Sequence, residues 1–254
     1  MAYHIRRGRQ SPTRLCGMLD LGLSFLGSVA RDPNALAIVD GELRLAYAQW
    51  YRRISALVAG LDSLGLVPGD HIVTLLQNRW EAATLHWACQ FSGLIITPVN
   101  WRSTAGELDF FLADAEAKAV VYEETSAAAI GGSRLSARLP RIALDSVSSG
   151  ATSFAALTGG EAPEARLRVD AEAWSVMLYT SGTTARPKGV PRRQRAERPP
   201  LWRMSRKTFT AAASARSASC RFTIRWVSAR CWQCRLSAAL LFACAGSTLL
   251  KPCD

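Results

Sequence analysis

The chain has 254 residues, of which 49% are hydrophobic and 20% are charged, a composition typical of a globular domain and not of a disordered or fibrous protein. Its formal net charge of +11 lies entirely in residues 192–254, which hold 13 Lys and Arg against two Asp and Glu, whereas residues 1–191 are neutral. The neutral part contains only Cys16 and Cys89, which excludes a disulfide framework for it.

The first 17 residues differ in character from the rest of the neutral part. They are rich in arginine and precede a weakly apolar run over 21–29, an arrangement that superficially resembles a signal peptide. Asp20 interrupts the approach to that run and weakens this interpretation. We therefore interpret residues 1–17 as a mis-assigned start, with Met18 as the alternative start, or as a disordered segment, and we expect a cytoplasmic protein.

Residues 18–198 show alternating helical and extended patterns. Apolar residues at helical spacing predict helices over 50–64 and 80–93. Short apolar runs predict strands over 35–39, 72–76, 94–99, 118–122, 141–144 and, as a buried strand, 174–179. Because strands alternate with helices, we expect an α/β fold with a mostly parallel sheet and flanking helices. The Ser-, Gly- and Ala-rich stretch 147–160 predicts a loop.

The strand over 174–179 leads into a loop of small and hydroxyl-bearing residues that a lysine closes. Residues 178–189 read L-Y-T-S-G-T-T-A-R-P-K-G. Backbone N–H groups in such a turn can point together at anionic oxygens, glycines allow a close approach, and Lys188 adds a positive charge. The carboxyl end of a strand is a usual ligand position in α/β folds, so the pattern predicts a polyphosphate site. A Ser/Thr-rich surface turn has the same composition, but Pro187 beside Lys188 disfavours it.

A P-loop is the nearest alternative phosphate-binding motif. That motif requires Ser or Thr directly after the lysine, so that a hydroxyl reaches Mg²⁺. Here Gly189 follows Lys188, and the spacing rule fails. His71 and His86 lack metal-ligand spacing, so we assign no metal ligand, and we name no catalytic residue.

The loop resembles the signature Y-T-S-G-T-T-G-x-P-K-G of the AMP-forming acyl-adenylate superfamily, which includes the acyl-CoA synthetases. Ala185 stands where the signature has its last loop glycine, and if that position needs a positive φ the alanine costs about 1 kcal/mol. Further segments that resemble the family follow in its order at residues 45–50, 64–73 and 93–102. The resemblance covers residues 18–198 and implies the N-terminal part of the large α/β domain of an AMP-forming acyl-CoA synthetase, that is, a partial AMP-binding domain.

This resemblance implies ATP-dependent activation of a fatty or aromatic carboxylic acid to acyl-AMP, followed by transfer of the acyl group to coenzyme A. It implies ATP, Mg²⁺ and coenzyme A as cofactors and the acid as a small-molecule partner, and we expect neither a membrane nor a nucleic acid as partner. The residues implied to hold the β- and γ-phosphates are Thr180, Ser181, Gly182, Thr183, Thr184, Lys188 and Gly189. The family's adenine-pocket motif, ribose-binding aspartate and C-terminal lysine are not found after the loop, so we expect a truncated chain that does not form acyl-CoA.

Residues 199–254 are rich in Arg, Cys and Trp, and four interpretations compete for them. As a membrane anchor, the run 236–250 is shorter than the ~20 residues that a spanning helix needs. As a zinc site, Cys231 and Cys234 lack a regularly spaced second pair. A basic nucleic-acid-binding tail on a non-enzymatic protein stays as the alternative function. We favour the fourth interpretation, a frameshift in a GC-rich gene.

The genetic code supports the frameshift. When each hidden codon takes the last base of one visible codon and the first two bases of the next, residues 219–227 become compatible with the family's next motif, M-P-L-F/Y-H-x-x-G. Trp226 followed by Val227, for example, forces a glycine at the last position of that motif. We therefore expect residues 199–254 to be an out-of-frame, disordered tail.

Overall fold

The structure is a computed structural model that describes residues 21–145, 150–180 and 186–197. Its helices are α1 (Leu21–Arg31), α2 (Tyr47–Ser63), α3 (Trp80–Ser92), α4 (Ala105–Asp114), α5 (Ala127–Gly132) and α6 (Phe154–Thr158). Its strands are β1 (Leu36–Asp40), β2 (Leu43–Ala46), β3 (His71–Leu75), β4 (Ile95–Pro98), β5 (Ala119–Tyr122), β6 (Arg141–Ala143), β7 (Thr152–Ser153), β8 (Trp174–Thr180) and β9 (Lys188–Arg193).

One large sheet organises the described residues. Its strand order is β7-β6-β5-β3-β4-β8-β9, and every neighbouring pair is parallel except β8 and β9, which are antiparallel. Strands β1 and β2 form a separate antiparallel hairpin. The expected α/β fold, with a mostly parallel sheet and flanking helices, is confirmed.

The central strands are buried on both faces, as is usual for parallel sheets. Successive residues of β3 point to opposite faces, so Ile72 belongs to one apolar cluster and Val73 to another. The first apolar cluster contains Phe25, whose ring lies 4.8 Å from that of Trp87 and 5.3 Å from that of Trp50. These ring contacts hold α1, α2 and α3 together on one face of the sheet.

Local signals explain where two of the helices begin and end. At the start of α4, the Thr104 hydroxyl accepts a hydrogen bond from Glu107 N–H at 3.3 Å, and the Glu107 carboxylate accepts one from Thr104 N–H at 2.7 Å. This reciprocal pair is a capping box. After α3, Gly93 has φ +76°, and a Cβ there would lie 2.5 Å from Val169 Cγ1, so the position requires glycine.

The predicted helices and strands all lie within a few residues of their expected bounds. One detail of the last predicted strand, which is β8, is wrong: Trp174 was expected to be buried and is 42% exposed. It lies at the amino end of β8, where the guanidinium of Arg193 covers its ring at 4.6 Å and the core does not.

The loop expected over 147–160 is wrong for residues 152–158. Residues 152–153 form β7 and residues 154–158 form α6. Phe154 is buried, and its ring lies 6.0 Å from that of Trp80. Small neighbours make the composition loop-like, but Phe154 and Leu157 lie about one helical turn apart and both pack into the first apolar cluster.

No helix in the described ranges combines the length and the apolarity that a bilayer crossing requires. The interpretations of residues 1–17 and 199–254 concern segments outside those ranges.

His86 lies on α3 in the interior and is 5% exposed. Its Nδ1 has no hydrogen-bond partner within the described part of the chain. Burial lowers the pKa of His86 from 6.5 to about 4, because the imidazolium cannot be solvated there. The folded protein therefore keeps His86 neutral at pH values where the unfolded chain protonates it.

We predict that acid destabilises the fold through His86. Between pH 6.5 and pH 4 the unfolded state binds a proton that the folded state does not. The free energy of unfolding therefore decreases as the pH is lowered over this range, by about 3 kcal/mol for this group. Denaturant unfolding of the chain and of His86→Leu, at about pH 7.5 and about pH 4.5, measures this contribution. The variant should lose markedly less stability on acidification, and an equal loss in both proteins would contradict the prediction.

Candidate functional site

The two ends of the predicted loop pair across a β-hairpin. Thr180 is the last residue of β8 and Lys188 the first of β9, and the antiparallel register places them opposite each other. Tyr179 and Gly189 form the next pair. Thr180 and Lys188 are both exposed, so the hydroxyl and the ammonium group are accessible at the base of the loop.

The structure thus brings together Thr180, Lys188 and Gly189 from the predicted set. The other predicted site residues, Ser181, Gly182, Thr183 and Thr184, lie outside the described residues. Strand β8 runs parallel to β4, with Val176 in register with Ile96. The loop therefore begins at the carboxyl edge of the parallel strands, where open α/β sheets bind ligands.

Gly189 allows close packing inside the hairpin. A Cβ at this residue would lie 2.9 Å from Met177 Sδ and 3.4 Å from Tyr179 Cε1. Any side chain here would have to displace the Met177 thioether or press on the Tyr179 ring. The glycine thus lets the Tyr179 ring lie directly beside β9.

Tyr179 connects the hairpin to α4, a role that sequence reasoning missed. It is 7% exposed, its ring lies 4.7 Å from that of Phe111, and its hydroxyl donates a hydrogen bond to Asp114 Oδ2 at 2.7 Å. Burial, followed by the hydrogen bond to Asp114, raises the pKa of Tyr179 well above its usual range, so Tyr179 stays a neutral donor. Asp114 lies 65 residues away in the sequence, and no local pattern indicates this contact.

A charged cluster occupies the same edge of the sheet, after β3, β5 and β6. Arg79 lies 2.8 Å from Asp145, 3.1 Å from Glu81 and 3.5 Å from Glu123. The Glu123 side chain is 3% exposed and also accepts a hydrogen bond from Gln77 N–H at 3.0 Å. Burial opposes the charge on Arg79, but hydrogen bonds to Asp145 and Glu81 outweigh burial and raise the pKa of Arg79. The cluster connects the ends of β3, β5 and β6 through ion pairs of Arg79 with three carboxylates.

The described residues do not fit a magnesium ion held by the protein alone. Among them, no group of three or more His, Cys, Asp or Glu is arranged to hold a metal ion. Mg²⁺ in nucleotide sites is usually bound by one or two carboxylates together with the phosphates of the substrate. Thr180 and Lys188 offer a hydroxyl and a cation, which suit the phosphate oxygens themselves.

A comparison with models of protein families gives a match over most of the chain. The family model described as "AMP-binding enzyme" matches residues 25–249. A feruloyl-CoA synthase from an Amycolatopsis species is 34% identical over 162 residues, which cover 62% of this chain and 30% of that protein. The long-chain-fatty-acid–CoA ligase FadD13 of Mycobacterium tuberculosis is 33% identical over 176 residues, which cover 68% of this chain and 35% of that protein.

The chain thus spans about a third of the length of these curated relatives. Among solved structures, an inhibitor-bound crystal structure of the N-terminal domain of FACL13 from Mycobacterium tuberculosis matches with a TM-score of 0.67 and 23% identity. The match covers 90% of this chain and 56% of that chain, and it shows that the two share a fold.

We predict that Arg79→Ala lowers the free energy of unfolding by about 3 kcal/mol, because Glu81 and Glu123 would stay buried without their cation. The matched control is Arg168→Ala, which removes a bidentate pair with Asp62 whose two N–O distances are both 2.6 Å. Both side chains of that pair are 37% exposed, so the control should lose less than about 1 kcal/mol. Chemical denaturation compares the two variants, and equal losses would rule out a special role for the buried cluster.

Proposed function

The chain belongs to the family of AMP-binding enzymes, and on this premise we propose that it supplies the ATP phosphate site for a reaction that activates a carboxylic acid, first to acyl-AMP and then to acyl-CoA. We propose that this chain by itself does not form acyl-CoA. The proposed partners are ATP, coenzyme A and the acid, and the proposed location is the cytoplasm. The residues that we assign to the β- and γ-phosphates of ATP are Thr180, Ser181, Gly182, Thr183, Thr184, Lys188 and Gly189.

The pairing of Thr180 with Lys188 is the observation that carries this proposal. A loop whose two ends are held side by side can turn its backbone N–H groups toward one point, which suits an anion. The exposed ammonium group of Lys188 then supplies a positive charge, and the exposed hydroxyl of Thr180 supplies a hydrogen-bond donor.

The chemistry of adenylation explains why such a loop is useful. A carboxylate oxygen attacks the α-phosphorus of ATP, the bond to the oxygen that bridges to the β-phosphate breaks, and the electron pair leaves with pyrophosphate. Reactions of this kind depend mainly on positioning and on neutralising charge. Lys188 and Thr180 would hold the departing pyrophosphate, and neither residue needs to transfer a proton.

The acid is proposed as a class only. A feruloyl-CoA synthase and a long-chain-fatty-acid–CoA ligase align with this chain at nearly the same identity. The aligned part therefore does not separate an aromatic acid from a fatty acid, and we propose that the substrate belongs to one of these two classes.

We further propose that residues 18–198 are part of an AMP-binding domain and that residues 199–254 are out of frame. The family match extends to residue 249 in the visible frame, so the frameshift has to be tested on the gene itself. An insertion or deletion near the codons for residues 198 and 199 would support the frameshift. Gene and transcript sequences that agree with the visible frame through residue 254 would contradict it.

We predict that Lys188→Ala weakens binding of Mg-ATP and of Mg-pyrophosphate to this chain by about tenfold or more, since a charge-assisted contact contributes roughly 1.5–3 kcal/mol. Isothermal titration calorimetry with each ligand measures the change in Kd. The variant should keep the Tm of the unchanged chain, because Lys188 is exposed.

The matched control is Lys118→Ala. Lys118 is also exposed and precedes β5, so it lies at the amino edge of the parallel strands, away from the loop. The control should bind within about twofold of the unchanged chain. Equal weakening in both variants would attribute binding to overall charge, and an unchanged chain that binds neither ligand would contradict the proposed function.

A further inference from the structure

We propose that Tyr179 and Asp114 form a positioning contact for the phosphate loop: their hydrogen bond fixes the point at which the chain leaves β8 and enters the loop. The inference rests on the proposed function, since it gives the two residues a role in ATP binding. Neither residue is assigned a contact with the nucleotide, so both are positioning residues and not catalytic ones.

The carboxyl end of β8 depends on such a contact because the sheet supports it on one side only. Among the described residues, β8 is in register with β4 at Val176 alone, opposite Ile96. Residues 177–180 are in register with β9 and have no register partner on β4. Because β9 is the last strand in the order of the described sheet, the end of β8 that leads into the loop rests on an edge strand.

The Tyr179 side chain anchors this end of β8 to α4. Its hydroxyl lies 2.7 Å from Asp114 Oδ2, and its ring packs edge-to-face at 4.7 Å from Phe111 and at 6.3 Å from Phe110. Three contacts with one helix restrict the rotation of the ring and therefore the backbone of Tyr179, which is bonded directly to Thr180.

The same ring also lies beside the second end of the loop. Gly189 follows Lys188, and a Cβ on Gly189 would lie only 3.4 Å from Tyr179 Cε1. A shift of the Tyr179 ring would therefore change the space available to both strands of the hairpin. One side chain thus couples the start and the end of the phosphate loop to α4.

The position of Asp114 also favours a specific role. It is the last residue of α4, where the helix dipole disfavours a negative charge. The ion pairs found within the described ranges do not include its carboxylate. The charge-assisted hydrogen bond that it accepts from Tyr179 gives a reason for a carboxylate at this position.

The test compares Tyr179→Phe with the matched control Tyr51→Phe in the full chain. Both substitutions remove the hydroxyl of a tyrosine that is 7% exposed, but Tyr51 donates to the Ala165 carbonyl at 2.6 Å in the first apolar cluster, on the other face of the sheet. Calorimetry measures the Kd for Mg-pyrophosphate, and hydrogen-exchange mass spectrometry follows peptides that cover residues 176–192. We expect Tyr179→Phe to raise the Kd about threefold to tenfold and to speed amide exchange in those peptides. Tyr51→Phe should change neither, despite a comparable fall in Tm.

Two substitutions at Asp114 separate positioning from charge. Asp114→Asn keeps an oxygen that can accept from Tyr179, so its Kd should stay within about twofold of the unchanged chain. Asp114→Ala removes the acceptor and should match Tyr179→Phe. Both variants remove the charge that the dipole of α4 disfavours, so a loss confined to the alanine variant cannot come from charge.

Unchanged affinity and unchanged exchange in Tyr179→Phe and Asp114→Ala would overturn the inference, as would equal effects in Tyr51→Phe. If the unchanged chain binds no Mg-pyrophosphate, the proposed function fails and the exchange data alone decide on the contact. Faster exchange confined to Tyr179→Phe and Asp114→Ala then supports the anchoring of β8, and exchange that is the same in every variant overturns it.

Discussion

Antiparallel pairing of β8 with β9 is the constraint on which the candidate site depends. It holds Thr180 opposite Lys188, at the roughly 4.5–5.5 Å Cα separation of antiparallel partners. The loop is therefore closed by the fold before any ligand arrives, and the entropy of bringing its ends together does not count against binding. Preorganisation of this kind raises affinity without adding a contact.

The other end of the hairpin is held mainly by buried amides. Gln194 N–H donates to the Ala173 carbonyl at 3.0 Å, and the buried Gln194 side chain donates to the Gln90 carbonyl at 3.3 Å. The ion pair of Arg193 with Glu172 adds little, because both side chains are exposed and solvent screens them. The hairpin thus has a firmly packed base, and at the loop end it relies on one buried tyrosine. Small changes near that tyrosine can therefore alter the loop while the fold persists.

The sequence pattern predicted the sheet well because its central strands are buried on both faces. Such strands read as short continuous apolar runs, as residues 72–76 and 118–122 do. Segment 152–158 was missed because its stability comes from two apolar side chains that dock on a distant cluster, and its composition is otherwise that of a loop. The five-residue helix 154–158 contains only one such apolar pair, which is too short a pattern to predict a helix.

Part of the candidate site can be proposed from the sequence, for a different reason. The residues of the loop are contiguous, so their composition and spacing indicate an anion site directly. The contacts that hold the loop are not contiguous: Tyr179 meets Asp114 across 65 residues, and Arg79 meets Asp145 across 66. The local sequence around each of these four residues does not indicate which distant residue it contacts.

Electrostatics then decides which cation at the carboxyl edge can serve an anionic ligand. Arg79 is surrounded by three carboxylates, so a phosphate would compete with partners that are already desolvated. Arg102 stacks its guanidinium on the ring of Trp101 at 3.8 Å. Lys188 is exposed, forms no ion pair within the described part of the chain, and stands directly at the base of the loop. A polyphosphate with several negative charges gains most from a cation that has no carboxylate to give up, and this favours the proposed phosphate contact at Lys188 over one at Arg79.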